Sequence, residues 1–161
     1  MRRLLLFAVA FAIWSMFTWM PDRQELLAGL FVSAGVALFF SEMFSIHPEK
    51  VFNPKRWLYF FYYLPIFLYY VVKANIDVAY RVVHPRMPIN PGIVKIKTEL
   101  KSEIAQSMLA NSITLTPGTL SVDVKDGYMY VHWIEVRSKE VEEATRIISR
   151  RFEKILKEIF E

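Results

Sequence analysis

Hydrophobic residues are concentrated in three stretches of the first half of the chain, and a charged, alternating pattern follows them. The third stretch begins at Trp57 and carries no charged side chain before Lys73. A helix of about 20 apolar residues spans the ~30 Å hydrocarbon core of a bilayer. The pattern therefore predicts three membrane helices, at about residues 4–20, 25–41 and 57–80.

Small residues recur every fourth position in the second stretch, at Gly29, Ser33 and Ala37. This spacing lets a neighbouring helix approach closely in lipid. Because the first two stretches are short, we expect a tightly turned hairpin, with a polar turn at residues 21–23. A polar connector with two prolines follows at residues 41–56, and a proline-rich, non-helical linker at residues 85–92.

After the linker the pattern becomes that of a small α/β domain. Alternating residues from Ile93 predict a strand, and Ser102 is placed to cap a helix that ends near Asn111, with Ile104, Ala105, Met108 and Leu109 on its inner face. Two further strands are predicted at residues 119–125 and 128–136, joined by the turn Asp126-Gly127. In the first of them we expect three side chains to point inward, those of Leu120, Val122 and Val124.

The last element is predicted to be a single amphipathic helix capped by Ser138. Its apolar stripe consists of Val141, Ala144, Ile147, Ile148, Phe152, Ile155 and Ile159. Two helices on one face of a small mixed sheet would bury both apolar stripes. The prediction is thus an α+β membrane protein with a membrane domain at 1–84, a linker at 85–92 and a β-α-β-β-α, truncated ferredoxin-like domain at 93–161.

Composition and charge agree with a membrane protein and exclude several functions. Apolar residues make up 54% of the 161 residues and charged residues 22%, and the two groups occupy different parts of the chain. The absence of cysteine excludes disulfides and thiolate metal sites, and the three histidines form no ligand pattern. Basic residues flank the apolar stretches in nearly equal numbers on both sides, so charge does not predict the orientation.

The residues from Asn111 to Thr119 read NSITLTPGT. This string, with the short apolar hairpin, the aromatic third segment, the proline-rich linker and the α/β domain, resembles the MrpE/MnhE type of subunit found in multisubunit monovalent cation/proton antiporters. The resemblance covers essentially the whole chain. The same type of subunit recurs in the membrane arms of ion-translocating hydrogenases and related respiratory complexes.

The resemblance implies a multi-pass cell-membrane subunit that exchanges sodium for protons only as part of a larger assembly. Its partners would be the other antiporter subunits, or a hydrogenase module in the second setting, together with the lipid bilayer. The family implies no catalytic role and no cofactor, and places the small domain on the cytoplasmic side. The transported cation and the stoichiometry are not apparent from the residues.

Two groups of residues are candidates for a functional site. Lys73 and Asp77 lie one helical turn apart, and ionisable groups at membrane depth often mark an ion path. Alternatively, the two form an ion pair where the helix leaves the lipid. The second group is the loop of Asn111, Thr114, Thr116, Pro117, Gly118 and Thr119, which serves either as a sharp turn or as a docking surface.

Other functional classes remain as alternatives. A self-contained transporter would need polar residues in more than one membrane helix, and the first two stretches contain few. A membrane-tethered module could bind RNA or a nucleotide through Tyr128, Tyr130 and His132, which alternate on one predicted strand, although we expect no nucleic-acid partner. An enzyme is disfavoured, because Asp123 and Glu135 are expected to point to solvent and no nucleophile, metal or phosphate motif is present.

Overall fold

The computed structural model describes residues 2–18, 22–42 and 53–161, which form two compact units, Met1–Asn53 and Pro54–Glu161. The first unit contains the helices α1 (Arg2–Phe17) and α2 (Arg23–Phe40). The elements of the second unit are α3 (Pro54–Val83), β1 (Gly92–Lys97), α4 (Glu103–Thr114), β2 (Thr119–Lys125), β3 (Tyr128–Trp133), α5 (Val141–Ile148) and α6 (Arg150–Phe160). Parts of the predicted turn at 21–23 and of the connector at 41–56 lie outside the described residues.

The first unit is a helical hairpin. Asp22 caps α2 by accepting a hydrogen bond from the backbone of Glu25, whose side chain accepts one from the backbone of Asp22, so a capping box is complete. The buried residues of α2 are Gly29, Ser33 and Ala37, which confirms the predicted small-residue face. Trp14 of α1 packs directly on Gly29. The small side chains thus allow the two helices to approach closely.

The sheet of the second unit has the strand order β1-β3-β2, and both pairings are antiparallel. The predicted β-α-β-β-α order is confirmed, but the sheet is not mixed. The hairpin between β2 and β3 turns at Asp126 and Gly127, which have φ values of 52° and 74°. Two successive positive φ angles are typical of a type I′ turn, which matches the twist of the strands.

Strand β2 differs from its prediction. The register of β2 against β3 shifts between Ser121 and Asp123, which is the sign of a β-bulge. Leu120, which pairs with His132, is 50% exposed, and Val122 within the bulge is 55% exposed. Strict alternation through 119–125 was therefore the wrong assumption, because one inserted residue reverses the direction of every side chain after it.

The helices cover one face of the sheet and close the core. Ser102 caps α4 as predicted, and Ala105 and Leu109 are buried, whereas Ile104 is exposed. The last helix is interrupted at Ser149, and its N-cap is Glu140 instead of Ser138. The core contains residues of β1, β3 and all three helices: Val94, Ile96, Ala105, Leu109, Ile113, Met129, Val131, Ala144, Ile148, Phe152 and Leu156.

Helix α3 packs against this domain. Tyr63 is buried and its hydroxyl lies 2.5 Å from that of Ser112 in α4. The ring of Phe152 in α6 makes edge contacts with the rings of Tyr63, Phe67 and Tyr70. Packing therefore divides the chain between residues 53 and 54, and the predicted membrane domain at 1–84 stays a prediction.

Among the described residues, two helices are long and apolar enough to cross a membrane, α2 and α3. The apolar part of α1 is shorter. Three membrane-crossing helices are therefore not confirmed.

Candidate functional site

A buried arginine joins three segments of the second unit. Arg81, in the last turn of α3, donates from Nε to Oδ2 of Asp77 over 2.9 Å and from Nη2 to Oδ1 over 3.2 Å. Its guanidinium also donates to the carboxylate of Glu135, just beyond β3, and to the carbonyl oxygen of Pro88 in the linker. We call Asp77, Arg81, Glu135 and Arg137 the arginine cluster.

The charges of the arginine cluster balance. Arg137 donates to Glu135 over 3.1 Å, so two cations face two carboxylates. The hydrogen bond from Arg81, reinforced by that from Arg137, holds the pKa of Glu135 below its usual value, against the opposing effect of desolvation. Glu135 is therefore ionised at neutral pH, and the cluster is suited to fixing the chain rather than to exchanging protons.

The expected pairing of Asp77 with Lys73 is not found. Asp77 pairs with Arg81, four residues toward the C-terminus, while Lys73 is exposed and makes no ion pair within the part of the chain that the structure describes. An acidic residue four positions before a cation is the favourable orientation on a helix, and that signal was present in the sequence. Glu135, which was expected to point to solvent, is half-buried because Arg81 reaches it, whereas Asp123 is exposed as predicted.

The predicted loop is a tight turn with internal hydrogen bonds. Thr116 is buried and its hydroxyl donates to the carbonyl of Ser112 over 2.7 Å. The hydroxyl of Thr119 donates to the carbonyls of Ile113 and Thr116. Gly118 has a φ of 90°, which fits the third position of a type II turn after Pro117.

Two further members of the predicted group have different surroundings. The hydroxyl of Thr114 accepts a hydrogen bond from the backbone of Ser121 over 3.1 Å, which ties α4 to β2. Asn111 is exposed, and its carbonyl accepts from the backbone of Leu115 at the end of α4.

The turn lies beside the arginine cluster. The carbonyl of Gly118 accepts a hydrogen bond from the backbone of Ile134, the residue before Glu135. A Cβ placed on Gly118 would lie 3.0 Å from Ile134 and 3.5 Å from Val78, the residue after Asp77. The two groups that the sequence singled out separately therefore meet at one place, where α3, the turn and the end of β3 come together.

The face of the sheet away from the helices carries Tyr128, Tyr130 and His132. Lys95 on β1 lies over both tyrosine rings, with its Nζ 3.8 Å from the centre of Tyr128 and 5.9 Å from that of Tyr130. A cation on a ring face occupies the surface on which a base would stack. The arrangement does not favour the nucleotide-binding alternative.

Residues 2–18, 22–42 and 53–161 contain no group of three or more acidic, histidine or cysteine side chains placed to bind a metal ion. Sequence reasoning missed Arg81, Glu135 and the Tyr63–Ser112 pair, because each depends on contacts between residues distant in the chain.

Long apolar helices joined to a three-stranded α/β unit define a membrane-associated α/β protein. The protein-family model described as "MNHE: Na+/H+ ion antiporter subunit" matches residues 7–159. The chain belongs to this family.

Individual relatives agree with this assignment. The chain is 43% identical over 98 residues to the E-type Na(+)/H(+) antiporter subunit of Alkalihalophilus pseudofirmus, which covers 60% of this chain and only 61% of that relative. It is 32% identical over 158 residues to the E1-type Na(+)/H(+) antiporter subunit of Staphylococcus haemolyticus, which covers 96% and 94%.

A solved structure is also similar along the whole chain. A chain of the membrane-bound sulfane sulfur reductase, an archaeal respiratory membrane complex, superposes with a TM-score of 0.79. The two chains are 47% identical, and the match covers 99% of each.

Proposed function

We propose that this chain is an accessory, non-catalytic subunit of a multisubunit membrane complex that exchanges a monovalent cation, sodium in the named relatives, for protons. The match of the antiporter-subunit family to residues 7–159 carries the proposal. The role is structural or coupling: the chain supports assembly and ion translocation by larger subunits.

A second setting is the membrane arm of a respiratory complex. The observation that favours it is the 47% identity over 99% of both chains with a chain of an archaeal respiratory membrane complex. In this setting the same subunit would stand beside ion-translocating subunits that are driven by a redox module. The hydrogenase module considered from the sequence is one such module, and a sulfur-reducing one is another.

The α1–α2 hairpin is the proposed membrane anchor, and the α/β domain is proposed to face the cytoplasm. Helix α1 has 16 residues, so it is about 24 Å long and needs flanking residues to cross a ~30 Å core. The close packing of Trp14 on Gly29 supports insertion of α1 and α2 together. A third crossing by α3 is not part of the proposal, because the α/β domain packs along that helix.

The deciding experiment is mild detergent extraction from the native membrane, followed by native-size separation and mass identification of the co-migrating chains. Large antiporter-like subunits alone would support the antiporter setting, and redox subunits with metal centres would support the respiratory one. Migration of this chain by itself, as a small oligomer, would contradict both and favour the self-contained transporter or the tethered binding module.

We propose that Asp77 serves the arginine cluster and does not carry ions. Asp77→Asn should therefore leave sodium efflux within about twofold of wild type in cells that depend on the complex, since the amide still accepts a hydrogen bond from Arg81. Lys73→Gln, a charge change one turn away on an exposed residue, is the matched control. Loss of efflux in Asp77→Asn with an intact assembly, but not in Lys73→Gln, would assign Asp77 to an ion path.

A further inference from the structure

Helix α3 contacts the α/β domain over nearly its whole length. At one end Lys55 pairs with Glu158 over 3.4 Å and Arg56 donates to the carbonyl of Ile159. At the other end Arg81 pairs with Glu135. These contacts are about 39 Å apart along the helix axis, because each residue of an α-helix adds 1.5 Å.

The domain side of α3 cannot lie in hydrocarbon. Helix α6, which packs along α3, exposes Arg150, Lys154, Lys157 and Glu158. Charged side chains are costly at the centre of a bilayer, and a crossing α3 would bring this whole helix with it. Contacts with the domain at both ends of α3 therefore favour a helix that lies along the membrane surface.

The remaining surface of α3 suits such a position. It is apolar with aromatic side chains, which are enriched where hydrocarbon meets the polar headgroups. The exposed members are Trp57, Leu58, Phe61, Leu64, Leu68, Val72, Ile76, Tyr80 and Val83.

Between α3 and α6 lies an open groove of about 650 Å³, the α3–α6 groove. One wall is formed by α3 and is aromatic, and the other is formed by α6 and carries two cations and no carboxylate. The lining residues are Tyr62, Pro65, Ile66, Tyr69, Tyr70, Arg151, Lys154 and Ile155. The groove therefore joins an apolar surface to a positive one.

Arg151 is held in this groove without an acidic partner. Its guanidinium lies 4.3 Å from the ring centre of Tyr70 and 4.9 Å from that of Phe152. Its Nε is buried and has no hydrogen-bond partner among the described residues. Burial lowers the pKa of Arg151 from its ordinary value, as expected of a cation whose charge is not compensated.

We propose that the α3–α6 groove binds the phosphate-bearing headgroup of an anionic phospholipid. The planar fork of Arg151 and the ammonium of Lys154 complement a phosphate, and the exposed face of α3 continues into the acyl-chain region. A soluble phosphate would satisfy the cations but leave the aromatic wall in water. The lipid is therefore the occupant that fits both walls.

The test is binding of phosphatidylglycerol to the full chain in detergent, followed by native mass spectrometry, with phosphatidylcholine as the uncharged competitor. Each cation near an anionic lipid contributes about fivefold in affinity, so Arg151→Gln and Lys154→Gln should each weaken phosphatidylglycerol binding roughly fivefold. Arg150→Gln is the matched control, because Arg150 is the exposed neighbour of Arg151 and does not line the groove. It should bind as wild type does.

Several results would overturn the proposal. Equal affinity of the wild-type chain for both lipids would do so without any variant, and this holds even if Arg151→Gln fails to fold. An equal loss in Arg150→Gln would mean that only the overall charge matters. Displacement of the lipid by millimolar inorganic phosphate would identify a soluble anion as the ligand, and lipid bound to the isolated chain but absent from the intact assembly would mean that another subunit covers the groove.

Discussion

Arg81 illustrates how one buried side chain can connect three segments of a small domain. Its two carboxylate partners come from α3 and from the residues after β3, and its third acceptor is a linker carbonyl. An isolated buried charge is unfavourable, so the value of each partner lies mainly in compensating the arginine. Removing one partner should destabilise the domain through the charge that is left behind.

The first prediction concerns Glu135→Gln. Because the pKa of Glu135 is lowered in the folded state, its ionised form stabilises the fold above the unfolded-state pKa of about 4.3, and this contribution disappears as the pH falls through the lower folded-state pKa. At pH 7 the variant should lose about 1–2 kcal/mol of unfolding free energy, with a smaller difference at pH 4 and below.

Chemical unfolding in detergent at both pH values measures this loss. Glu143→Gln is the control, because Glu143 also has a lowered pKa, set by its hydrogen bond with Arg146, but that pair is at the surface. An equal loss in both variants, or a pH-independent loss in Glu135→Gln, would contradict the role given to the arginine cluster.

The second prediction separates backbone strain from crowding at the turn. Gly118→Ala places a Cβ 3.0 Å from Ile134 at a φ of 90°, and a non-glycine residue in that region costs about 1–2 kcal/mol. Gly92→Ala places a Cβ 3.0 Å from Val136 but without a positive φ. The thermal midpoint should fall further in Gly118→Ala than in Gly92→Ala, and equal midpoints would show that the turn tolerates alanine.

At the scale of elements, periodicity predicted most of the fold. The small-residue face of α2, the cap of α4 and the type of turn after β2 each depend on residues close together in sequence, and all three are found. The inward direction of Leu120 was wrong, because a bulge depends on how β2 pairs with β3 and leaves no local signal. The arginine cluster was missed for the same reason, since Asp77 and Glu135 are far apart in the chain.

The third prediction uses two glycines of the same helix. In α2, a Cβ on Gly29 would lie 2.5 Å from Cδ1 of Trp14, while a Cβ on Gly35 would meet nothing within 4 Å. Gly29→Ala should therefore force α1 and α2 apart and destabilise the hairpin by about 1–3 kcal/mol. Gly35→Ala should be neutral or slightly stabilising, since alanine favours helix more than glycine does.

Thermal unfolding of the full chain in detergent, followed by tryptophan fluorescence, distinguishes these variants. Trp14 lies in the affected contact, and its indole donates to the carbonyl of Glu25. Similar midpoints and spectra for Gly29→Ala and Gly35→Ala would mean that the helices repack at no cost. The close approach of α1 and α2 would then be incidental to the small-residue spacing.

At the scale of the whole molecule, hydropathy and packing divide the chain at different places. Hydropathy groups α3 with α1 and α2, because its residues from Trp57 to Val72 are uncharged. Packing groups α3 with the α/β domain, through Tyr63, Phe67 and Tyr70. A linear sequence reports how apolar a helix is but not which neighbour covers it, so the two divisions could be separated only in three dimensions.

The last prediction tests which division governs stability. A fragment of residues 54–161 keeps the aromatic rings of α3 on Phe152, whereas a fragment of residues 93–161 exposes that side of the core. Losing these contacts should cost about 3–5 kcal/mol, as truncation of a buried aromatic does, and such a loss lowers the melting temperature of a small domain by more than about 10 °C. In mild detergent the longer fragment should unfold cooperatively near the midpoint of the α/β domain in the full chain, and the shorter one far below it. If the two fragments melted together, α3 would contribute nothing to the fold of the domain, and a membrane segment ending near residue 84 would be the better description of this helix.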